Sequence, residues 1–252
     1  MPDEITIYWS SGEDEQKLPF NRQMLYLPPV NLYKDLLPRQ NPDLVGAGRG
    51  LRDSSFFVCP AVRDKLSRTF FMENSVETRF SVRDFEIVAE SGVGIPLATS
   101  RDSSLTNTVH VRSELTWMFF ADEPLEVSFT SPYFHALEYL SAMTLPPAQF
   151  NIGTWFRSFN CEYIVQRRHA DIVIHEGDPM FYMEVHSQKK IRFVRFEVCD
   201  ELSRLGASCS GAPAVLGRFK PLAERYERFR ATQMRENILR LIKPNIIGAI
   251  DA

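Results

Sequence analysis

The stretch HADIVIHEGDPMFYMEVH, residues 169–186, decides the fold. It holds three of the five histidines of the chain, with Asp171, Glu176, Asp178 and Glu184 among them. It is therefore either a metal site or a set of strands that carry polar residues. The local chemistry favours strands. Residues 176–179 are turn formers: Gly177 permits unusual dihedrals, Asp178 can bond back to the backbone, and Pro179 fixes its own φ at a strand start. Beyond the turn, period-two alternation sends Phe181, Met183 and Val185 to one face and Tyr182, Glu184 and His186 to the other. SQKK (187–190) is a second turn, and IRFVRFEV (191–198) returns. The expected path is strand, hairpin, strand, hairpin, strand.

The same pattern extends outward. Short runs rich in aromatic and β-branched residues occur at 5–10, 54–59, 69–74, 77–83, 108–113, 115–121 and 125–130. ENS (73–75) between two of them is hairpin-like. Four more candidate strands lie in 157–166, 170–175, 179–185 and 191–198. This spacing predicts a mainly β chain, a two-sheet antiparallel sandwich or jelly roll, and not βαβ units. Nineteen phenylalanines suit such half-buried surfaces. Residues 131–143 are compatible with a short helix that Pro146 and Pro147 prevent from continuing.

Three parts are expected. Residues 1–53 give a first strand and an extended Pro-rich arm with a short helix over 31–37, ended by Pro38. Residues 54–216 form the β-sandwich core, closing in the small-residue loop 206–217. Residues 217–252 hold an amphipathic helix over 221–242, with Leu222, Tyr226, Phe229, Ile238, Leu241 and Ile242 at helical spacing and Pro244 after them.

Composition narrows the function. A net charge of −3 and a pI near 6.0 argue against a nucleic-acid partner, because phosphate neutralisation needs clustered cations. Arg225, Arg228, Arg230, Arg235 and Arg240 of the last helix interleave with Glu224, Glu227 and Glu236 at pairing distances, as on a solvated helix face. No apolar run reaches the length of a membrane span and the N-terminus is acidic, so the expected place is the cytoplasm. Cys59, Cys161, Cys199 and Cys209 contain no CxxC, which excludes a zinc ribbon and suggests free thiols, the first three of them within apolar strands.

Candidate chemistry is sparse. His169 and Asp171 share a strand face and match part of a two-histidine, one-carboxylate iron site. Only His175 and His186 follow them, whereas a distal third ligand is needed several strands on. His110 and Glu114 lack the neighbour that a cupin motif requires. GAGRG (46–50) has no Lys-Ser/Thr ending and reads as a loop. Trp155, Phe156 and Phe159 surround Arg157, a combination that can stack on a sugar, a base or a partner surface. No cofactor is implied.

One resemblance is legible. SPYF (131–134), WFRSFN (155–160), EGDPMFY (176–182), Arg195-Phe196 and DEL (200–202), with FFVCPA (56–61), resemble a group of uncharacterised proteins encoded by tailed phages, notably marine ones, and by some bacteria. Ser158 stands where that pattern has Pro. The resemblance implies no activity. It implies a phage product, found in the virion or in the host cytoplasm during assembly. The expected function is a non-enzymatic virion-associated or assembly protein, with other virion or assembly proteins as partners and a homo-oligomer as a further expectation. The alternatives are a jelly-roll metal or 2-oxoglutarate-type oxygenase using His169 and Asp171, and a carbohydrate- or nucleotide-binding module built on Trp155 and Arg157.

Overall fold

The computed structural model describes residues 4–12, 26–37, 59–84, 86–89, 97–100, 108–166, 168–210, 227, 229 and 234–251. In chain order the elements are β1 (Glu4–Ser11), β2 (Val30–Asn31), α1 (Leu32–Leu36), α2 (Pro60–Ser67), β3 (Thr69–Glu73), β4 (Thr78–Arg83), β5 (Glu86–Ala89), β6 (Leu97–Ser100) and β7 (Val109–Ala121). They continue with β8 (Glu126–Thr130), β9 (Met143–Thr144), β10 (Ala148–Asn151), β11 (Ser158–Val165), β12 (His169–Ile174), β13 (Pro179–Val185) and β14 (Lys190–Phe196). The last are α3 (Asp200–Ser210), α4 (Met234–Ile242) and β15 (Ile246–Asp251).

The strands form three sheets. A seven-stranded sheet runs β15-β14-β1-β7-β11-β9, with β6 also on β7. A five-stranded sheet runs β10-β8-β13-β3-β2, and a three-stranded sheet runs β12-β4-β5. β1 is parallel to β14, and the other described pairs are antiparallel.

Alternation along the strands builds the layers. On β7, Val111, Leu115, Trp117 and Phe119 point into one buried cluster, and Met118 and Phe120 into another. The first cluster is the seam between the seven-stranded and five-stranded sheets. There Trp117 meets Phe181 edge-on at 5.4 Å, Phe159 stacks on Phe129 at 4.0 Å, and Phe70 meets Phe193 at 4.9 Å. Such aromatic pairs contribute roughly 0.5–1.5 kcal/mol each beyond their buried area. The three-stranded sheet prolongs the seam with Phe80, Val82, Ile172 and Ile174.

Helices cover both outer faces. Over the seven-stranded sheet, α3 and α4 bury Tyr8, Met118, Phe120 and Phe196 beneath Leu202, Ile238 and Ile242. A Cβ on Gly206 of α3 would lie 3.1 Å from the Met118 Cε, so glycine permits this close approach. Over the five-stranded sheet, α1 and α2 bury Phe71 and Tyr182 beneath Leu32, Leu36 and Leu66. The order is helix, sheet, sheet, helix. No helix among the described residues is long and apolar enough to cross a membrane.

The mainly β sandwich matches the sequence expectation, but the pairing within it does not. β12, β13 and β14 enter three different sheets, so the expected hairpins are absent. The turn chemistry was correctly placed: Gly177 has φ +82°, and the Asp178 carboxylate accepts from the His175 amide at 2.8 Å. Turn residues set a local reversal, however, and not the partner of the next strand. ENS is likewise no hairpin, since β3 pairs with β13 and β2 while β4 pairs with β12 and β5.

Both sheet changes occur at one corner, held by Asn74. Its buried amide nitrogen donates to the carbonyls of Val76 (2.6 Å), Ile174 (3.2 Å) and His175 (3.0 Å). Its backbone N–H donates to Asp178 O at 2.8 Å, and its own carbonyl accepts from Gly177 at 2.7 Å.

Other elements differ from expectation for local reasons. Cys59 is exposed and precedes α2, with Pro60 in the helix's first turn, so it lies in no strand; residues 54–58 fall outside the described residues. Cys199 lies between β14 and α3, and residues 206–210 belong to α3, not to a loop. Pro244 ends α4 as expected, but the chain then returns as β15 beside β14. The 31–37 helix is present as α1, capped by Asn31, which accepts from the Lys34 N–H at 3.1 Å. Of the arm, residues 13–25 and 38–53 lie outside the described residues, as do 211–216 of the expected core and 217–226, 228, 230–233 and 252 of the C-terminal part.

Replacing Asn74 with Ala leaves three buried or half-buried carbonyls short of a donor. We expect a loss of about 1–3 kcal/mol in urea unfolding. A change within experimental error would show that the corner does not depend on this amide.

Candidate functional site

A cluster of ionisable and aromatic side chains lies on the outer face of the five-stranded sheet. β13 alternation supplies Tyr182 and Glu184 there. The segment after β8 folds tightly: Ser131 Oγ accepts from Leu145 N (2.9 Å) and donates to Leu145 O (3.3 Å), while His135 N donates to Pro132 O (3.2 Å). These bonds present Tyr133 outward and His135 inward. α1 contributes Asp35 and α2 contributes Lys65.

His135 joins three of these segments. Its Nδ1 meets the Tyr182 hydroxyl, and its Nε2 lies 3.1 Å from Asp35 Oδ2. A carboxylate accepts only, so Nε2 carries hydrogen, and in the neutral ring Nδ1 accepts a hydrogen bond from the Tyr182 hydroxyl. The side chain is 3% exposed, and its ring packs edge-on against Phe71 at 5.4 Å. Both nitrogens are therefore engaged inside the structure. This geometry clasps α1 and the 131–137 segment to β13.

Above the clasp the surface is mixed. Tyr133 is 51% exposed, with its ring against Tyr182 (5.2 Å) and Phe134 (4.9 Å). Lys65 Nζ lies 3.0 Å from Glu184 Oε2. The Glu184 contact holds the Lys65 ammonium above its ordinary pKa, whereas partial burial raises the Tyr133 phenol. Arg63 lies over the Tyr33 ring at 5.6 Å.

The residues singled out in the sequence are not assembled here. His169 and Asp171 do share an exposed face of β12. The His169 Nε2 is 3.8 Å from Asp84, while Asp171 accepts from Ser81 (2.6 Å) and Arg83 (2.5 Å). Those two donors, Ser81 first, hold the Asp171 carboxyl below its ordinary pKa. His175 pairs with Glu77 at 3.0 Å. His186 sits beyond β13 on another sheet, 2.7 Å from Ser128 Oγ. Among the described residues no group of three or more His, Cys, Asp or Glu could hold a metal ion. His110 Nδ1 meets Glu162 at 3.1 Å.

Trp155 is 3% exposed, with Arg157 over its ring at 5.6 Å. Phe156 and Phe159 are absorbed by the two clusters on either side of the sheet. An open stacking platform is therefore not what this segment forms. Arg235 reaches the Asp122 carbonyl and Arg240 bonds Asn237 at 2.7 Å; Arg225, Arg228, Arg230 and the 46–50 loop lie outside the described residues.

Sequence reasoning passed over Asp35, Lys65, Tyr133, His135 and Tyr182 as a group. SPYF and EGDPMFY lie far apart in the sequence and meet where Tyr133 packs on Tyr182, whose hydroxyl also bonds His135, the residue that follows SPYF. That convergence was the available signal. The class that fold and site define is a mainly β sandwich with helices on both outer faces. No protein-family model, curated protein or solved structure matches the chain.

Two outcomes test this description. Tyr182→Phe removes the donor to His135 Nδ1 and should cost about 1–3 kcal/mol. It should also speed amide hydrogen exchange in residues 30–37, since the clasp holds α1; unchanged exchange there would show that it does not. Asp171 gives a pH test. Its folded-state pKa is depressed below the ordinary 3.8, so its contribution is present above that value and is lost as pH falls below it. The stability gap between wild type and Asp171→Asn should stay constant well above pH 3.8 and narrow progressively as the pH is taken below it.

Proposed function

We propose that this chain is a non-enzymatic phage virion-associated or assembly protein, acting through protein–protein contact at the outer face of the five-stranded sheet. One observation carries the reading: an exposed Tyr133, flanked by the Lys65–Glu184 pair, stands on a buried, fully engaged His135 clasp. Tyr and Arg are enriched where proteins meet, and a rigidly seated aromatic loses little freedom on binding. Arg63, held over Tyr33, borders the same face. The resemblance of SPYF, EGDPMFY and FFVCPA to phage-encoded proteins supports the virion setting. The partners are then other virion or assembly proteins.

The test is quantitative mass spectrometry of gradient-purified particles from the source. The chain should be present at a copy number comparable with a known structural component. Tyr133→Ala combined with Lys65→Ala should lower its incorporation at least about tenfold while the melting temperature stays within a few degrees. Detection in infected-cell lysate alone would overturn the reading.

A further inference from the structure

A groove of about 450 Å³ opens between the helical pair α1/α2 and the start of β14. This is within the ordinary size of a ligand site. Its floor is apolar: Phe70 and Ile191 are both buried, and Tyr33 forms one wall. Its rim is basic, with Lys34, Arg68, Lys189 and Lys190, and among the described residues Asp64 is the one carboxylate lining it.

The four cations are not equivalent. Arg68 is held by Asp64 at 3.0 Å, and Lys189 bonds both oxygens of Glu123 at 2.8 and 2.7 Å. Lys190 is only loosely paired, 3.7 Å from Glu4. Lys34 is exposed and makes no side-chain ion pair among the described residues. Lys34 and Lys190 therefore remain to receive negative charge above an apolar floor. Asn31 of β2 also lines the groove, and among the described residues β2 is the last strand of its sheet, paired only with β3. A strand at a sheet edge suits an extended chain.

We infer that this groove binds an extended acidic peptide segment of a partner protein. Its carboxylates meet Lys34 and Lys190, and an apolar side chain rests on Phe70, Ile191 and Tyr33. Inorganic phosphate would leave that floor empty. A nucleic acid, with about one charge per 1.7 Å of duplex, would meet too few free cations on a chain of net charge −3. The site adjoins the Tyr133 face and shares Tyr33 with its border, but Lys34 and Lys190 belong to the groove alone and Tyr133 and Lys65 to the face alone, so either assignment can fail without the other.

The experiment is fluorescence anisotropy on the full chain with a fluorescein-labelled hexapeptide of sequence EEFELE, and with QQFQLQ as the uncharged control. The acidic peptide should bind at low salt and weaken as salt rises, and the control should bind at least about tenfold more weakly. Lys34→Glu with Lys190→Glu should weaken it at least tenfold with unchanged thermal melting. Tyr133→Ala with Lys65→Ala should leave it unaltered. Equal binding of the two peptides, or full binding by the Lys34/Lys190 variant, would overturn the inference. So would a Kd weaker than about 1 mM at low salt. Displacement by inorganic phosphate or an oligonucleotide at lower charge concentration than by unlabelled peptide would reject the peptide assignment.

Discussion

The amide of Asn74 governs how this chain divides its strands. β3 and β13 belong to the five-stranded sheet, β4 and β12 to the three-stranded one, and the chain crosses between the two sheets twice at the same place. Each crossing breaks a ladder and would leave carbonyls unpaired in a half-buried corner. The Asn74 nitrogen serves carbonyls from both crossings, those of Val76 on one and of Ile174 and His175 on the other. A side-chain amide is suited to this because it offers two hydrogens in a plane. Gly177, with positive φ, lets the second crossing turn back so that its own N–H reaches the Asn74 carbonyl. The second layer of the sandwich is thereby split into two sheets that still face a single continuous core.

Within that core, neighbouring residues of β13 serve opposite layers. Phe181 enters the seam against Trp117, Phe129 and Phe159, while Tyr182 points outward into the cluster under α1 and α2. The strand is buried on both sides, which explains why its sequence is almost wholly apolar and aromatic. The polar exception, Glu184, lies near the edge of the helical cover, where Lys65 reaches it.

Much of this was legible in the sequence because it depends on alternation. The run 115–121 and the stretch 179–185 each announce a strand, and the faces assigned to Phe181 and Tyr182 are those observed. Pairing was not legible, because it depends on contacts far apart in sequence: β1 lies beside β14 and β7, and β15 closes onto β14 from the other end of the chain. α2 and α3 were missed for a different reason. Cys59-Pro60 resembles the end of an apolar run, and the small residues of 206–210 imitate a loop, although at Gly206 smallness serves close packing on Met118. The histidines misdirected attention to 169–186. His169, His175 and His186 are exposed and paired locally, whereas the buried one, His135, sits in a stretch that carries no periodic signal.

His135 repays that position structurally. Asp35, His135 and Tyr182 come from three distant parts of the chain, and each would be costly to bury alone. Joined in series, every polar atom of the imidazole is satisfied, so the ring can fill an aromatic pocket beside Phe71. The consequence reaches the surface through one short link. His135 and Tyr133 are two residues apart in a tight turn, and Tyr133 rests on the same Tyr182 ring that His135 bonds. Fixing the inner residue fixes the outer one. The exposure of Tyr133 is thus a property of the buried network beneath it, and the same turn that completes the clasp holds an aromatic ring out to solvent.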